Sequence, residues 1–170
     1  MFNPNDMYRL NSFIPFGFVI PVLLWGTILL SDPLSVANLE LEDARLSCEA
    51  EGHQLVQKGN PIILRDLGDG PEPEAIVDYL SIGCPNNSNL FCGANGCPVH
   101  LIGKNGHSQH LADGFEIVAF GNQWAVLFQM AASFCAKHDS KCCFRQVYLK
   151  NHVWIEEYKF DAEPLCSKNQ

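Results

Sequence analysis

The chain has 170 residues, 47% of them hydrophobic, and a formal net charge of −8. That is enough for one ordinary domain plus a targeting segment, with apolar material for a real core. The charge excludes a nucleic-acid surface, whose phosphates demand a Lys/Arg surplus, and electrostatic docking on anionic lipid.

The first feature in chain order is an uncharged apolar run over residues 13–30, FIPFGFVIPVLLWGTILL, preceded by Arg9 and followed by Asp32 and Pro33. Two readings fit it. As a signal peptide it has Arg9 in the charged region and Ser35-Val36-Ala37 as a small-x-small cleavage site, so the mature chain would begin at Asn38. As a retained anchor it sits at the lower limit for crossing a hydrocarbon core. The domain boundaries are therefore 1–37 for signal or anchor and 38–170 for a single cysteine-rich extracytoplasmic domain. Both readings expect a periplasmic or extracellular domain, held in the inner membrane if the segment is retained, with membrane contact only through residues 13–30.

Eight cysteines follow that run: Cys48, Cys84, Cys92, Cys97, Cys135, Cys142, Cys143 and Cys166. An even number in an exported chain reads as up to four disulfides; in a reducing compartment the same residues would suggest metal sites. Local pairing is expected among Cys84, Cys92 and Cys97, and between Cys135 and Cys142 or Cys143. Cys48 and Cys166 would then tie the ends of the domain to its body.

Residues 38–51 are rich in helix formers. Leu39, Leu41, Ala44, Leu46 and Cys48 form an apolar stripe, and Gly52 supplies a stop. Short β runs broken by turn residues follow: 61–67, 74–81, 97–104, 115–120, 124–131, 144–149 and 153–160. Asn105-Gly106, Gly121-Asn122 and Lys150-Asn151-His152 mark turns. The expected fold class is α+β or mainly β: one N-terminal helix and a roughly seven-stranded antiparallel meander stapled by disulfides.

Four motifs invite a chemical reading. The acidic stretch from Asp66 to Glu74 puts a glycine where a calcium loop needs its second oxygen ligand, and reads as an inter-strand turn. Cys84, Cys92 and Cys97 with His100 could hold zinc, but export favours oxidised thiols. In His107-Ser108-Gln109-His110 two imidazoles lie three residues apart with no carboxylate or thiol at fixed spacing, and they read as exposed hairpin residues. His138-Asp139-Ser140 has the composition of a hydrolase triad, but triad members converge from separate elements. The aromatics Trp124, Phe128, Phe134, Trp154 and Tyr158 are expected in the core. The expectation is thus no catalytic, cofactor-binding or metal residue, and no cofactor.

One stretch carries a likeness. Asp66 to Glu74, the strand Ala75 to Leu80, Cys84, and Phe91-Cys92-Gly93-Ala94-Asn95-Gly96-Cys97, with Cys48 upstream, resemble a group of uncharacterised small proteins exported by Gram-negative bacteria. Those proteins carry an Asp-Leu-Asn-Gly-Asp-Gly-x-Pro stretch and a Cys-Gly-x-x-Gly-Cys segment; here the Asn-Gly-Asp order is shifted. The resemblance implies export and a cysteine loop only, since the group carries no established activity to transfer. The functional expectation is a non-enzymatic periplasmic binding or interaction domain with a protein partner. The alternatives are a membrane-anchored accessory subunit of a larger inner-membrane complex and a carboxylate-dependent hydrolase.

Overall fold

The computed structural model describes residues 32–68, 71–87, 89–131 and 143–159. Outside them lie the apolar run 13–30, Asp69 and Gly70 of the acidic loop, Phe134, His138-Asp139-Ser140, and the cysteines Cys135, Cys142 and Cys166. The side chain of Tyr158 also falls outside the description.

The helix α1 (Pro33–Ala50) begins five residues earlier than expected. Asp32 is its N-cap, accepting from Leu34 N at 3.4 Å, and Pro33 occupies the first turn, where its missing N–H costs nothing. At the other end Gly52, at φ 80°, turns the chain, and its N–H donates to Glu49 O at 2.8 Å. The buried stripe is Pro33, Ala37, Ala44 and Cys48. Small residues win this face because they let the helix approach the sheet closely. Leu39 (66% exposed) and Leu46 (49% exposed), assigned to the buried stripe from sequence, face outward instead. A domain boundary at 37/38 falls inside this helix, and Ala37 is fully buried.

Among the described residues ten strands form three antiparallel sheets. Strands β1 (Val56–Gln57) and β4 (Ile82–Gly83) make a two-stranded ribbon. The first four-stranded sheet has the order β2 (Ile62–Arg65), β3 (Glu74–Asp78), β5 (Cys97–Gly103), β6 (Gly106–Ala112). The second runs β7 (Gly114–Phe120), β8 (Gln123–Met130), β9 (Cys143–Lys150), β10 (Val153–Lys159), each strand pairing with the next. The single meander of about seven strands is thus two meanders plus a ribbon. The described residues are mainly β, with one α-helix.

Alternation along the strands builds three layers. Ala75, Val77 and Ile102 face α1 and pack with Ala37. Ile76, Val99, Leu101 and Ala112 face the second sheet and pack with Val126, Phe128, Met130 and Val147. Both faces of β3 are covered, and all five of its residues are buried. Its two acids are satisfied locally: Glu74 accepts from Leu67 N at 2.8 Å, and Asp78 from Leu80 N at 2.8 Å. The Asp78 side chain also caps the 3₁₀ turn over Tyr79–Ser81, which ends the strand earlier than expected.

Two disulfides join pairs of described residues. Cys48–Cys84 ties the end of α1 to the chain after β4, and Cys92–Cys97 closes the loop into β5. Cys143 is also disulfide-bonded. Among the described residues no cysteine is free. Gly96, at φ 97°, is required in that loop: a Cβ there would sit 2.5 Å from the Ala112 carbonyl carbon and oxygen. Disulfides persist in oxidising compartments, so the domain belongs in one. Among the described residues no helix is long and apolar enough to cross a membrane.

Candidate functional site

The chemistry-bearing side chains fall on the two faces of the β5–β6 hairpin. The register Ile102↔His107 and His100↔Gln109 places His100 and His107 on the face turned to α1, one step apart on neighbouring strands. Their ring centroids are 5.1 Å apart. Glu40, on the flank of the helix stripe, comes down between them. Its Oε2 lies 2.5 Å from His100 Nδ1 and its Oε1 3.3 Å from His107 Nε2. Glu40 and His100 are largely buried, whereas His107 is 48% exposed. His100 Nε2 is buried without a hydrogen-bond partner. The Tyr79 ring lies 5.2 Å from that of His100 and 5.7 Å from that of Phe91. Burial raises the Tyr79 phenol above its usual range, and the negative charges of Glu40 and Asp43 raise it further.

On the opposite face Val99↔His110 and Leu101↔Ser108 turn His110 and Ser108 into the gap between the sheets. His110, read from sequence as an exposed hairpin residue, is 1% exposed. Its ring stacks on Phe128 at 4.6 Å, and Nε2 lies 2.8 Å from Ser108 Oγ. Glu156 Oε1 lies 3.4 Å from Nδ1, and Arg145 pairs with the same carboxylate at 3.7 Å. Burial, then the Arg145 charge, then His100, lower the His110 pKa to about 4. The expectation failed because β6 is polar at four of its first five positions, which hides the alternation.

The sequence candidates separate in space. Cys84, Cys92 and Cys97 are consumed by disulfides, and His100 turns to Glu40 rather than to sulfur. Asp66 accepts from Gly68 N at 2.9 Å, a local turn contact. Glu72 pairs with Lys104 at 3.5 Å across a cleft of about 240 Å³. Of the aromatics, Phe128 is fully buried, Trp154 donates from Nε1 to Gly106 O at 3.3 Å, and Trp124 is 36% exposed under the Arg65 guanidinium, 4.6 Å from its ring centroid. Glu40 was missed because 60 residues separate it from His100. Its only sequence signal is an acid within one helical turn of Ala37 and Ala44.

Between the two disulfides lies a groove of about 640 Å³. Val56, Ile82, Pro85 and Phe91 give it apolar walls, and Lys58 is the one charged side chain among its described lining residues.

No protein-family model, no curated protein and no solved structure matches this chain.

Proposed function

We propose that the chain is a non-enzymatic binding domain of the periplasm that takes a protein partner in the groove between its two staples. The observation that carries this reading is the groove itself. Its floor is held by Cys48–Cys84 and Cys92–Cys97, and its walls are apolar, with no acid paired to a base among the described lining residues. A rigid concave surface of this kind recognises an apolar side chain at little ordering cost, because binding need not freeze the groove. Export, expected from residues 13–30, agrees with the oxidised cysteines. So does the resemblance carried by Asp66 to Cys97.

The test is a photo-crosslinking side chain placed at Val56, which is exposed at the rim. In envelope extract of the native host the full chain should crosslink to one discrete protein, and Phe91→Asp should abolish the product while the disulfides still form. A product that survives Phe91→Asp, or no product, contradicts the reading.

A second reading has its own observation. Only Ser31 separates the apolar run from Asp32, the cap of α1, and cleavage after Ala37 would remove buried Pro33 and Ala37 from the domain. That supports a retained segment and an anchored accessory subunit lying close against the membrane. N-terminal sequencing of the native protein decides it: Asn38 as first residue eliminates the anchor.

A further inference from the structure

We propose that Glu40, His100 and His107 form a three-ligand site for a divalent transition-metal ion, zinc foremost. Their ligand atoms lie within 4.8 Å of one another and come from three separate elements, α1, β5 and β6. A tetrahedral ion with bonds of about 2.0–2.2 Å needs ligand atoms about 3.3 Å apart. Glu40 already stands 2.5 Å and 3.3 Å from the two ring nitrogens, so an ion enters by small side-chain rotations around a fixed backbone.

The frame that holds the ligands is rigid. The Cys48–Cys84 bridge fixes the helix end, and Ala37 packs on the same sheet face as the histidines. The His100 ring is held between Tyr79 and His107, with centroids at 5.2 Å and 5.1 Å. Its Nε2 is buried without a partner, so Nδ1, aimed at Glu40, is the nitrogen that does polar work. Asp43, one turn along α1 from Glu40, adds a second negative charge that both raises the Tyr79 phenol and favours a cation nearby.

The donor set selects the ion. Two imidazoles and one carboxylate suit zinc, and copper or nickel by the general affinity order, whereas calcium and magnesium want oxygen shells. The thiolates that would compete are oxidised at Cys48, Cys84, Cys92 and Cys97. Three protein ligands leave a fourth position, and the exposed side of His107 gives it access to water or to a donor from a bound molecule. This site shares no lining residue with the groove between the disulfides, so metal binding is read independently of the binding-domain reading.

The test uses the full chain in detergent, stripped with a chelator, then titrated with zinc by calorimetry and with cobalt by visible absorption. One equivalent should bind, with the visible bands of a four- or five-coordinate cobalt ion and no thiolate charge-transfer band. His107→Gln and Glu40→Gln should each weaken binding by at least about tenfold, as loss of one ligand in three demands, while His53→Gln leaves it unchanged. His107 is half exposed, so unfolding is not expected in its variant, and equal melting temperatures of the stripped proteins check this. No saturable zinc binding up to millimolar concentration overturns the proposal. So does unchanged affinity in His107→Gln, or a thiolate band with cobalt.

Discussion

His110 shows how one residue couples the two sheets to pH. Its ring is enclosed between Phe128 and the β5–β6 strands, and its pKa falls from 6.5 to about 4. The groups facing it are Ser108 on its own strand, Glu156 on β10 and Arg145 on β9. Glu156 favours the imidazolium, but burial and the Arg145 charge outweigh it. Because the folded pKa lies below the unfolded one, the stabilising contribution is complete above about pH 6.5 and is lost as pH falls toward 4. The loss is at most about 3.5 kcal/mol, since each tenfold change in proton affinity is worth about 1.4 kcal/mol. Urea denaturation at about pH 7.5 and about pH 4.5, with a chelator present, should show a steeper loss in the native protein than in His110→Gln. Equal slopes would mean the imidazole is not enclosed. At this scale the sequence was legible where a residue type has one habit: Phe128 is buried, and cysteines pair. It was opaque for His110 and Glu40, because a histidine suits solvent, core and ligand shell equally well, and only tertiary neighbours choose among them.

The elements carry the staples, and the two bridges differ in what they hold. Cys48–Cys84 spans 36 residues and joins the helix to the chain after β4, whereas Cys92–Cys97 spans 5. By loop entropy in the unfolded chain, removing the first should cost about 4 kcal/mol and the second about 2 kcal/mol. The double variants Cys48→Ala/Cys84→Ala and Cys92→Ala/Cys97→Ala, compared by urea denaturation, should keep that order. The reverse order would show that the short bridge shapes the native loop more than it restricts the unfolded chain. Strands β2, β3, β5, β7, β8, β9 and β10 were each legible from apolar runs bounded by glycine, proline or asparagine. β6 was not, since Gly106 to Gln109 offers no apolar residue, and its pairing with β5 comes from the turn at Lys104-Asn105. The helix was legible and its buried face was not. Leucines at positions 39 and 46 outscore alanines on any hydrophobic scale, yet the sheet accepts Ala37 and Ala44, because a short side chain brings the helix axis close.

On the scale of the whole molecule, helix, sheet and sheet make three layers, and the middle one is buried on both sides. Alternation in Ala75, Ile76 and Val77 divides the two cores, one toward α1 and one toward the second sheet. The pairing of β7 with β8 and of β9 with β10 was legible, because short turns force neighbours in sequence to pair. The break into two sheets at Asp113 was not, since a single polar residue between β6 and β7 looks like any other turn. Above all, the domain folds oxidised, with its helix covalently fixed to the segment after β4 and its cysteine loop fixed to the start of β5. Non-reducing peptide mass spectrometry of the native protein tests this most directly. It should recover one crosslinked pair joining Cys48 to Cys84 and one joining Cys92 to Cys97 in the same molecules, with Cys143 also oxidised. Four or more free thiols, or Cys48 bonded to Cys92 or Cys97, would contradict it.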